Sequence, residues 1–533
     1  MTDRAAKHHI VPARHTLASY NQAPAKRPKC ANEAHGRPHP RAILAAKVCA
    51  AVLCLAAVLG GSAPAAEIAD VTPADTLLYV EITRPAELWA SLQNTELRQA
   101  VKASFAAELV LCFFSATADV LCQSLTDRGL GQAAEQYDPT IGLVFCPPDP
   151  ADPSDDPEIV TVLRAAANSK ELQTLLADRV EKTLTARFPR VKITTDRIGD
   201  HLVKHVAFSP KRVWTLAFPG DAIIYGRRRA VRWMLTSEAH LGNSAKYAQA
   251  RKNISLPAGA HVFCYSETTQ PAGMGALTCK AGTVMSGVLE IDVPAAGPAL
   301  VRDRILLSGN IVTPRPGPAR ACRIGSVFPA GPWLANQISF ASPTEAARYL
   351  KMPKGPDQPL VGALATTGFV ALTAGSDGLL HFIFAAEVAH ATKVEAALES
   401  IGFKKQGNAW QNDTDSAVLK NGCLYIGRSA AMKPLLERLT AAEPKMISDQ
   451  AGFGKLLAML PAKSHGYSVM TAEFLLGPGC LEVFEPFREV LMTLSPSIAS
   501  AAQTDKGIEI TSVSPCGYGI WLVSANLAAT TDK

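Results

Sequence analysis

Residues 73–82 read PADTLLYVEI, and this stretch decides the predicted fold. Leu78, Val80 and Ile82 alternate with residues that face the opposite way, which is the pattern of a half-buried strand. Pro85 follows three residues after Ile82, at the kind of position where proline begins a helix. The stretch therefore predicts a strand that leads into a helix, and it opens a unit of mixed α and β structure.

The opening stretch belongs to a series of short motifs that occurs twice in the same order. Residues 71–74, 140–144, 224–227 and 256–257 match residues 327–330, 366–370, 425–428 and 460–461. Ordered matches of this kind indicate an internal duplication, and two copies of this length form a pair of domains rather than a solenoid. We therefore predict an α+β fold class, with two related α+β domains, mainly antiparallel sheets and packed helices.

The matches divide the 533-residue chain into three predicted segments. These are a signal or leader segment (1–66), a first α+β repeat (67–319) and a second α+β repeat (320–533). The first repeat carries an extra apolar, helical insert near residues 100–132. Glu108 and Asp119 argue against a membrane span there. The insert is predicted to pack on the core or between the repeats, and an exposed partner-binding patch is the alternative.

The first 66 residues have the organisation of a secretory signal. They carry nine basic and two acidic residues, and Val48–Leu59 contains no charge. Ala63-Pro64-Ala65-Ala66 then supplies small residues for cleavage after Ala65 or Ala66. Because a membrane-spanning helix needs about 20 apolar residues, an uncleaved anchor is the alternative. The chain is predicted to be exported, periplasmic or extracellular, and membrane-tethered only if the leader stays uncleaved.

The charge of the chain divides sharply at the same boundary. The whole chain has a formal charge of +6, and the leader alone accounts for +7, so the remainder is −1. The basic excess therefore belongs to the export signal, and a nucleic-acid partner is not predicted.

Sequence motifs of the common enzyme classes are missing from the chain. It contains no G-x-x-x-x-G-K-[ST] and no G-x-G-x-x-G between a strand and a helix, which are the loops that hold phosphates. It also lacks G-x-S-x-G and H-E-x-x-H. The sequence motifs therefore leave the catalytic residues unknown, and no cofactor or metal site is predicted.

Two groups of side chains could nevertheless bind a metal ion. His201 and His205 lie four residues apart, but on a strand they would be roughly 13 Å apart, too far to share one ion. The residues of an acidic loop could bind calcium: Asp149, Asp152, Asp155, Asp156 and Glu158. We interpret the histidines as solvent-exposed strand residues and the proline-rich acidic loop as a solvated hairpin tip.

Nine cysteines remain after the leader, an odd number that leaves at least one thiol unpaired in a monomer. Three lie in apolar strand segments, where cysteine serves as a small buried residue: Cys146, Cys264 and Cys423. The candidate disulfides are guesses from proximity: Cys112–Cys122, Cys264–Cys279 and Cys480–Cys516. A nucleophilic cysteine with a histidine partner stays possible, without a supporting motif.

The densest positive segment is Arg227-Arg228-Arg229 with Arg232, at a strand-to-helix junction. Its counterpart in the second copy, residues 428–431, contains one arginine. A solvated helix start is the default interpretation, and a site for an anion or an acidic partner is the alternative.

The opening PADTLLYVEI, the later strand-Gly-Arg-helix junctions and the helices that end in Leu-Pro resemble a family of exported bacterial proteins. Members of that family carry a domain of unknown function behind a signal peptide. The likeness covers most of residues 67–461. It implies export and an α+β fold, and it supplies no catalytic residues.

Together these observations favour an exported, non-enzymatic binding or structural module of the periplasm or envelope. Its partner is predicted to be an unknown protein or small molecule of the cell envelope. The alternative is a hydrolase-type enzyme with an unrecognised site in the cleft between the two repeats, since pockets favour domain interfaces.

Overall fold

A computed structural model describes most of the chain from Glu67 onward. The described ranges are 67–84, 140–147, 158–164, 191–209, 212–256, 260–268, 272–274, 277–292, 298–312, 316–345, 358–475 and 492–515, with single positions between 87 and 99, between 170 and 186, and at 488. The leader (1–66) and the predicted insert near 100–132 lie outside these residues.

The strands of the first half run from β1 to β13. Their bounds are β1 (Leu78–Ile82), β2 (Thr140–Cys146), β3 (Glu158–Arg164), β4 (Lys192–Ile198), β5 (His201–Ser209), β6 (Arg212–Ala217), β7 (Ala222–Arg227), β8 (Ala260–Glu267), β9 (Ala272–Met274), β10 (Leu277–Cys279), β11 (Val284–Asp292), β12 (Leu300–Ser308) and β13 (Ile311–Val312).

The strands of the second half run from β14 to β23. Their bounds are β14 (Leu334–Ser339), β15 (Leu364–Ala374), β16 (Leu380–Val388), β17 (Lys404–Gln406), β18 (Ala409–Gln411), β19 (Asp415–Lys420), β20 (Cys423–Arg428), β21 (Gly466–Met470), β22 (Ser497–Thr504) and β23 (Gly507–Ser514).

The α-helices whose full extent lies within the described residues are short. They are α1 (Arg228–Thr236), α2 (Ala245–Ile254), α3 (Ile324–Val327), α4 (Gln358–Ala363), α5 (Ala391–Ser400), α6 (Ser429–Leu439), α7 (Phe453–Ala458) and α8 (Ala472–Leu475), with 3-10 turns at Ile68–Val71, Leu241–Asn243 and Ile447–Asp449. Described positions between 170 and 186 are also helical. Among the described residues, no helix has the length and apolar character that a membrane crossing requires.

Among the described residues, twenty strands form one antiparallel, open sheet. Their order is β4-β5-β6-β7-β3-β2-β1-β8-β11-β12-β23-β22-β21-β14-β15-β16-β20-β19-β18-β17. The ten strands of each half follow the same relative order from the outer edge to the centre. A separate three-stranded sheet has the order β13-β10-β9.

The predicted fold class, two related α+β domains with packed helices, is wrong. The described chain is dominated by antiparallel sheet with few helices, and the sheet continues from one half into the other. The physical reason is that β12 and β23 each end a half with an open edge, and these two edges pair with each other. An alternating apolar pattern predicts a strand, but it does not predict which edge that strand will pair with.

Both faces of the sheet are covered over its central strands. On face A, helices α1 and α2 pack against the first half, and α3, α6 and α7 pack against the second half. On face B, β1, β2, β8 and β11 share a second apolar cluster, and α4 and α5 cover part of the second half. Strand β1 is consequently buried on both faces rather than half-buried as its alternation predicts.

The two halves meet at the seam, which we define as the pairing of β12 with β23. Seven residue pairs form it, from Val301↔Ser514 to Leu307↔Ile508. On face A, Arg304 donates to the carbonyls of Ile254 and Ser255 at the end of α2. Each guanidinium that reaches a helix end satisfies carbonyls without a partner inside that helix.

The neighbouring arginine of the seam reaches in the opposite direction. Arg302 donates to the carbonyl of Met459 at the end of α7, at 2.9 Å. Since Arg302 and Arg304 lie two positions apart on β12, they share face A and connect the same strand to a helix of each half. The seam therefore combines a backbone ladder with side-chain contacts. Besides these two arginines, the hydroxyl of Ser512 donates to the carboxylate of Asp303, and Glu509 lies 3.9 Å from Arg304.

The first described residues form an arm that lies across face A of the first half. Ile68 is fully buried, and it fills the space above Gly142, where a Cβ would lie 2.7 Å from its Cγ2. The guanidinium of Arg164 donates to the carbonyl of Glu67 at 2.7 Å. A glycine is therefore required in β2 because the arm crosses directly over that strand.

Candidate functional site

Several features that the sequence singled out lie together at the start of α1. The arginines of residues 227–229 form the junction between β7 and this helix. Glu158 of the acidic loop, Cys146 at the end of β2 and His205 of β5 contribute side chains to the same region. We treat this region as the candidate site because it gathers titratable, cationic and thiol groups.

Glu158 lies between two of the arginines. Its carboxylate is 3.1 Å from Nε of Arg229 and 3.8 Å from Nη1 of Arg227. Arg229 also donates from Nη1 to the carbonyl of Pro147 at 3.0 Å. The carboxylate is 9% exposed, so water has little access to its contact with Arg229. Glu158 therefore occupies the place where the Arg229 guanidinium could bind an external anion.

Asp196 on β4 forms the second group. Its Oδ2 lies 3.0 Å from Nη2 of Arg228 and 3.4 Å from Nε2 of His205. On the other side of the ring, His205 Nδ1 is 2.8 Å from Oγ1 of Thr215 on β6. His205 is buried, whereas Asp196 is exposed on the edge strand. The group thus runs from the surface to a buried hydroxyl.

Asp196, His205 and Thr215 are the residue types of a carboxylate, imidazole and hydroxyl triad. The ring nitrogens are exchanged, however: Nδ1 faces the hydroxyl, and Nε2 lies 3.4 Å from the carboxylate without a hydrogen bond among the described residues. In such a triad the hydroxyl oxygen must reach within about 3 Å of the substrate carbon. Thr215 is 0% exposed, beneath the start of α1. The hydroxyl therefore has no path to a substrate, and the arrangement fixes β4, β5 and β6 to one another.

The arginine run is consequently not an open cationic patch. Arg227 and Arg228 are exposed, but each of the three arginines has a carboxylate within 4 Å. Glu158 and Asp196 occupy the positions that an external anion would need. The interpretation as a helix start agrees with α1 beginning at Arg228.

The histidine prediction is correct for the strand and wrong for His205. His201 and His205 both lie on β5, as the sequence indicates. His205 is 7% exposed, so it is not a solvent-exposed strand residue. Among the described residues, no group of three or more His, Cys, Asp and Glu side chains is placed to bind a metal ion. Asp149, Asp152, Asp155 and Asp156 lie outside the described residues.

Replacing Asp196 with Asn tests, through pH, the contacts that this carboxylate makes with the Arg197 N–H, with His205 and with Arg228. The backbone N–H of Arg197, with smaller contributions from His205 and Arg228, lowers the pKa of Asp196 below its ordinary value. A carboxylate with a lowered folded-state pKa contributes stability above its unfolded pKa of about 4, and that contribution is lost as pH falls through the folded value. We expect the unfolding free energies of wild type and Asp196→Asn to differ most above pH 5 and to converge in acid. Urea titrations at several pH values measure this, and a pH-independent difference contradicts it.

The five described cysteines that carry free thiols are Cys146, Cys264, Cys279, Cys322 and Cys423. The candidate disulfide Cys264–Cys279 is therefore wrong: both thiols are buried in the same apolar cluster of face B without forming a bond. The candidates Cys112–Cys122 and Cys480–Cys516 lie outside the described residues. Burial agrees with the interpretation of Cys146, Cys264 and Cys423 as small core residues.

These thiols are expected to be unreactive in the native protein. Burial raises the pKa of Cys146 and of Cys264 to about 12, and that of Cys322 and Cys423 to about 11. Because the thiolate is the nucleophile, we expect no iodoacetamide labelling at these four positions at pH 8, and full labelling after unfolding in urea. Peptide mass spectrometry resolves each position. Native labelling of any of the four at the rate of a free thiol contradicts the expectation.

A second polar group was not found from the sequence. Glu81 on β1 is 2% exposed, accepts from the hydroxyl of Tyr79 and lies 3.0 Å from Nη2 of Arg251. Arg251 also donates to the hydroxyl of Tyr247 and lies over the ring of Phe263. Burial, followed by the nearby Glu81 charge, raises the pKa of both tyrosines. In the sequence, the signal for this group is a glutamate inside an otherwise apolar strand segment.

This Glu81–Arg251 group is specific to the first half. The position of Glu81 in β1 corresponds to Gln337 in β14, whose amide bonds the backbone of Ala321 and Arg323. At the equivalent position of the second half, an uncharged amide therefore takes the place of the carboxylate. The group holds α2 against the sheet, and its carboxylate has no exposed surface for a ligand.

Comparisons with known proteins give no match. No protein-family model, no curated protein and no solved structure is similar to the chain. The resemblance to an exported bacterial family with a domain of unknown function stays a prediction.

Proposed function

We propose that the protein is an exported, non-enzymatic module of the periplasm or envelope that binds or supports a partner of the cell envelope. The observation that carries this proposal is the seam. The place where a two-domain enzyme would have its cleft is a ladder of seven residue pairs, crossed on face A by Arg302 and Arg304. Such a junction favours a continuous platform over two lobes that close on a substrate.

The chemistry of the polar groups supports the same proposal. The hydroxyl of Thr215 is buried, the thiol pKa values of Cys146 and Cys264 are raised to about 12, and Glu158 is held by Arg229. Nucleophiles of enzymes are exposed to substrate and have lowered pKa values or an adjacent base. The export part of the proposal rests on the leader, residues 1–66.

The test uses the gene with its leader intact, expressed in a bacterial host. We expect the protein in the periplasmic or extracellular fraction with its N-terminus at Ala66 or Glu67, as read by N-terminal sequencing. Native mass spectrometry of that protein then reports a bound molecule or partner directly. A cytoplasmic protein with an intact leader overturns export.

A hydrolase is the second candidate, because the three residue types of a catalytic triad, Asp196, His205 and Thr215, lie next to one another. A fluorophosphonate probe distinguishes the two. Labelling that Thr215→Val abolishes, while the folded state is kept by circular dichroism, would establish the hydrolase and overturn the non-enzymatic proposal. We expect no labelling at Thr215.

A further inference from the structure

The open sheet ends in two edge strands that differ strongly. Strand β4 has seven residues, pairs only with β5 among the described strands, and has mostly exposed side chains. Strand β17, at the opposite end, has three residues and pairs only with β18. An unpaired edge is a template for another strand unless charge, proline or shortness protects it.

The edge β17 carries such protection. Its residues Lys404 and Lys405 are exposed and of like charge, so two copies of this strand would repel each other. Three residues also offer few backbone groups for pairing. This edge fits the pattern of a strand protected against association.

The edge β4 is self-complementary instead. Its sequence is KITTDRI, with Lys192 and Asp196 placed symmetrically about Thr194. The side chains of Lys192, Thr194 and Asp196 share one face of the sheet, because they lie two positions apart along the strand. They lie opposite Ala207, His205 and Val203 of β5. The remaining side chains include the β-branched Ile193 and Thr195, which favour strand structure.

The outward backbone groups of β4 have the right alternation for a two-fold pairing. The N–H of Arg197 donates to Oδ1 of Asp196 and so points away from β5. Since ladder groups alternate along an antiparallel strand, the N–H groups of Ile193 and Thr195 point the same way. In a two-fold antiparallel pair centred on Thr194, Ile193 and Thr195 of each copy are opposite one another and exchange both backbone hydrogen bonds.

We propose that two copies of this chain associate through β4, pairing antiparallel about Thr194 so that the ammonium of Lys192 meets the partner subunit's Asp196 in both directions. The Arg197 N–H turns to a backbone carbonyl of the partner, which releases Oδ1 of Asp196. Oδ2 keeps its contact with Arg228 at 3.0 Å. The seam already joins two edges of this molecule in the same antiparallel manner, through a ladder of similar length.

The test measures the dimer dissociation constant of the mature protein by native mass spectrometry and light scattering across concentration. Lys192→Glu places like charges opposite Asp196, and we expect dissociation to rise at least about tenfold. Lys192→Arg keeps the charge and should stay within about threefold. Lys404→Glu on the other edge is the matched control and should leave the dimer unchanged.

A second variant separates pairing from charge. Thr195→Pro removes an outward N–H without removing a hydrogen bond to β5, so we expect a folded monomer, with far-UV circular dichroism and melting close to wild type. A wild-type protein that is monomeric at all concentrations overturns the proposal. A dimer that Lys192→Glu and Thr195→Pro both leave intact overturns it too, because association then uses another surface. Neither result bears on export or on the non-enzymatic proposal.

Discussion

Replacing Arg251 with methionine is expected to lower the unfolding free energy by about 3–5 kcal/mol, the range for breaking a buried ion pair from one side. The change leaves the carboxyl group of Glu81, which is 2% exposed, without its guanidinium partner and with the hydroxyl of Tyr79 as a hydrogen-bond donor. It also removes the guanidinium from the ring of Phe263. Urea unfolding followed by circular dichroism measures the loss.

Two further variants make the result specific to the buried charge. Arg197→Met removes an exposed arginine of β4 and should change the free energy by no more than about 0.5 kcal/mol. The double variant Glu81→Gln with Arg251→Met replaces the unpaired carboxyl by an amide, the group that Gln337 supplies in the second half. This variant should recover a large part of the lost unfolding free energy. A single Arg251→Met variant within about 1 kcal/mol of wild type contradicts the buried-pair argument.

Replacing Gly507 with alanine is expected to open the seam and to lower the unfolding free energy by about 3 kcal/mol. Gly507 begins β23 with φ of +138°, a conformation that L side chains rarely adopt. A Cβ there would overlap the carbonyl oxygen of Leu307 on β12. Backbone strain and collision with the neighbouring strand therefore act at the same end of the ladder.

Hydrogen exchange locates the effect of this substitution. We expect faster exchange of amides in β12 and β23, with little change at the outer edges of the sheet. Gly407→Ala is the matched control, because Gly407 also has a positive φ, of +61°, but nothing lies within 4 Å of its Cβ position. Its cost should be about 1 kcal/mol. Equal effects of the two substitutions would contradict a role for contact at the seam.

Local structure was predicted well because local patterns determine it. The alternation at residues 78–82 predicted a strand, and β1 spans Leu78–Ile82. The arginines of residues 227–229 were predicted to lie at a strand-to-helix junction, and β7 ends at Arg227 where α1 begins at Arg228. These features depend on neighbouring residues, and the chain carries their signals within a few positions.

The fold class and the buried Glu81–Arg251 group could not be predicted because they depend on distant pairings. Arg251 lies 170 positions from Glu81, and no periodicity joins the two. Glu81 alternates with apolar residues, so it was assigned to a half-buried strand. The arm at Glu67–Thr72 and α2 cover that face, and the strand is buried on both sides.

For the candidate site, the sequence identified side chains but not their partners. The arginine run and Glu158 were treated as separate solvated features, yet they form ion pairs across the β3–β7 neighbourhood. His205 was interpreted as a solvent-exposed strand residue, yet it is buried. The start of α1 covers one side of this strand region, and burial follows from that packing rather than from the strand itself.

The seam also sets an order of events during synthesis. Val301 of β12 pairs with Ser514 of β23, so the first half emerges from the ribosome with an unsatisfied edge long before its counterpart exists. Pairings between residues so distant in sequence form slowly, and an open edge is prone to aggregate meanwhile. A truncated chain that ends before β23 should therefore depend on chaperones to stay unaggregated, whereas the full chain completes this edge when β23 pairs with β12.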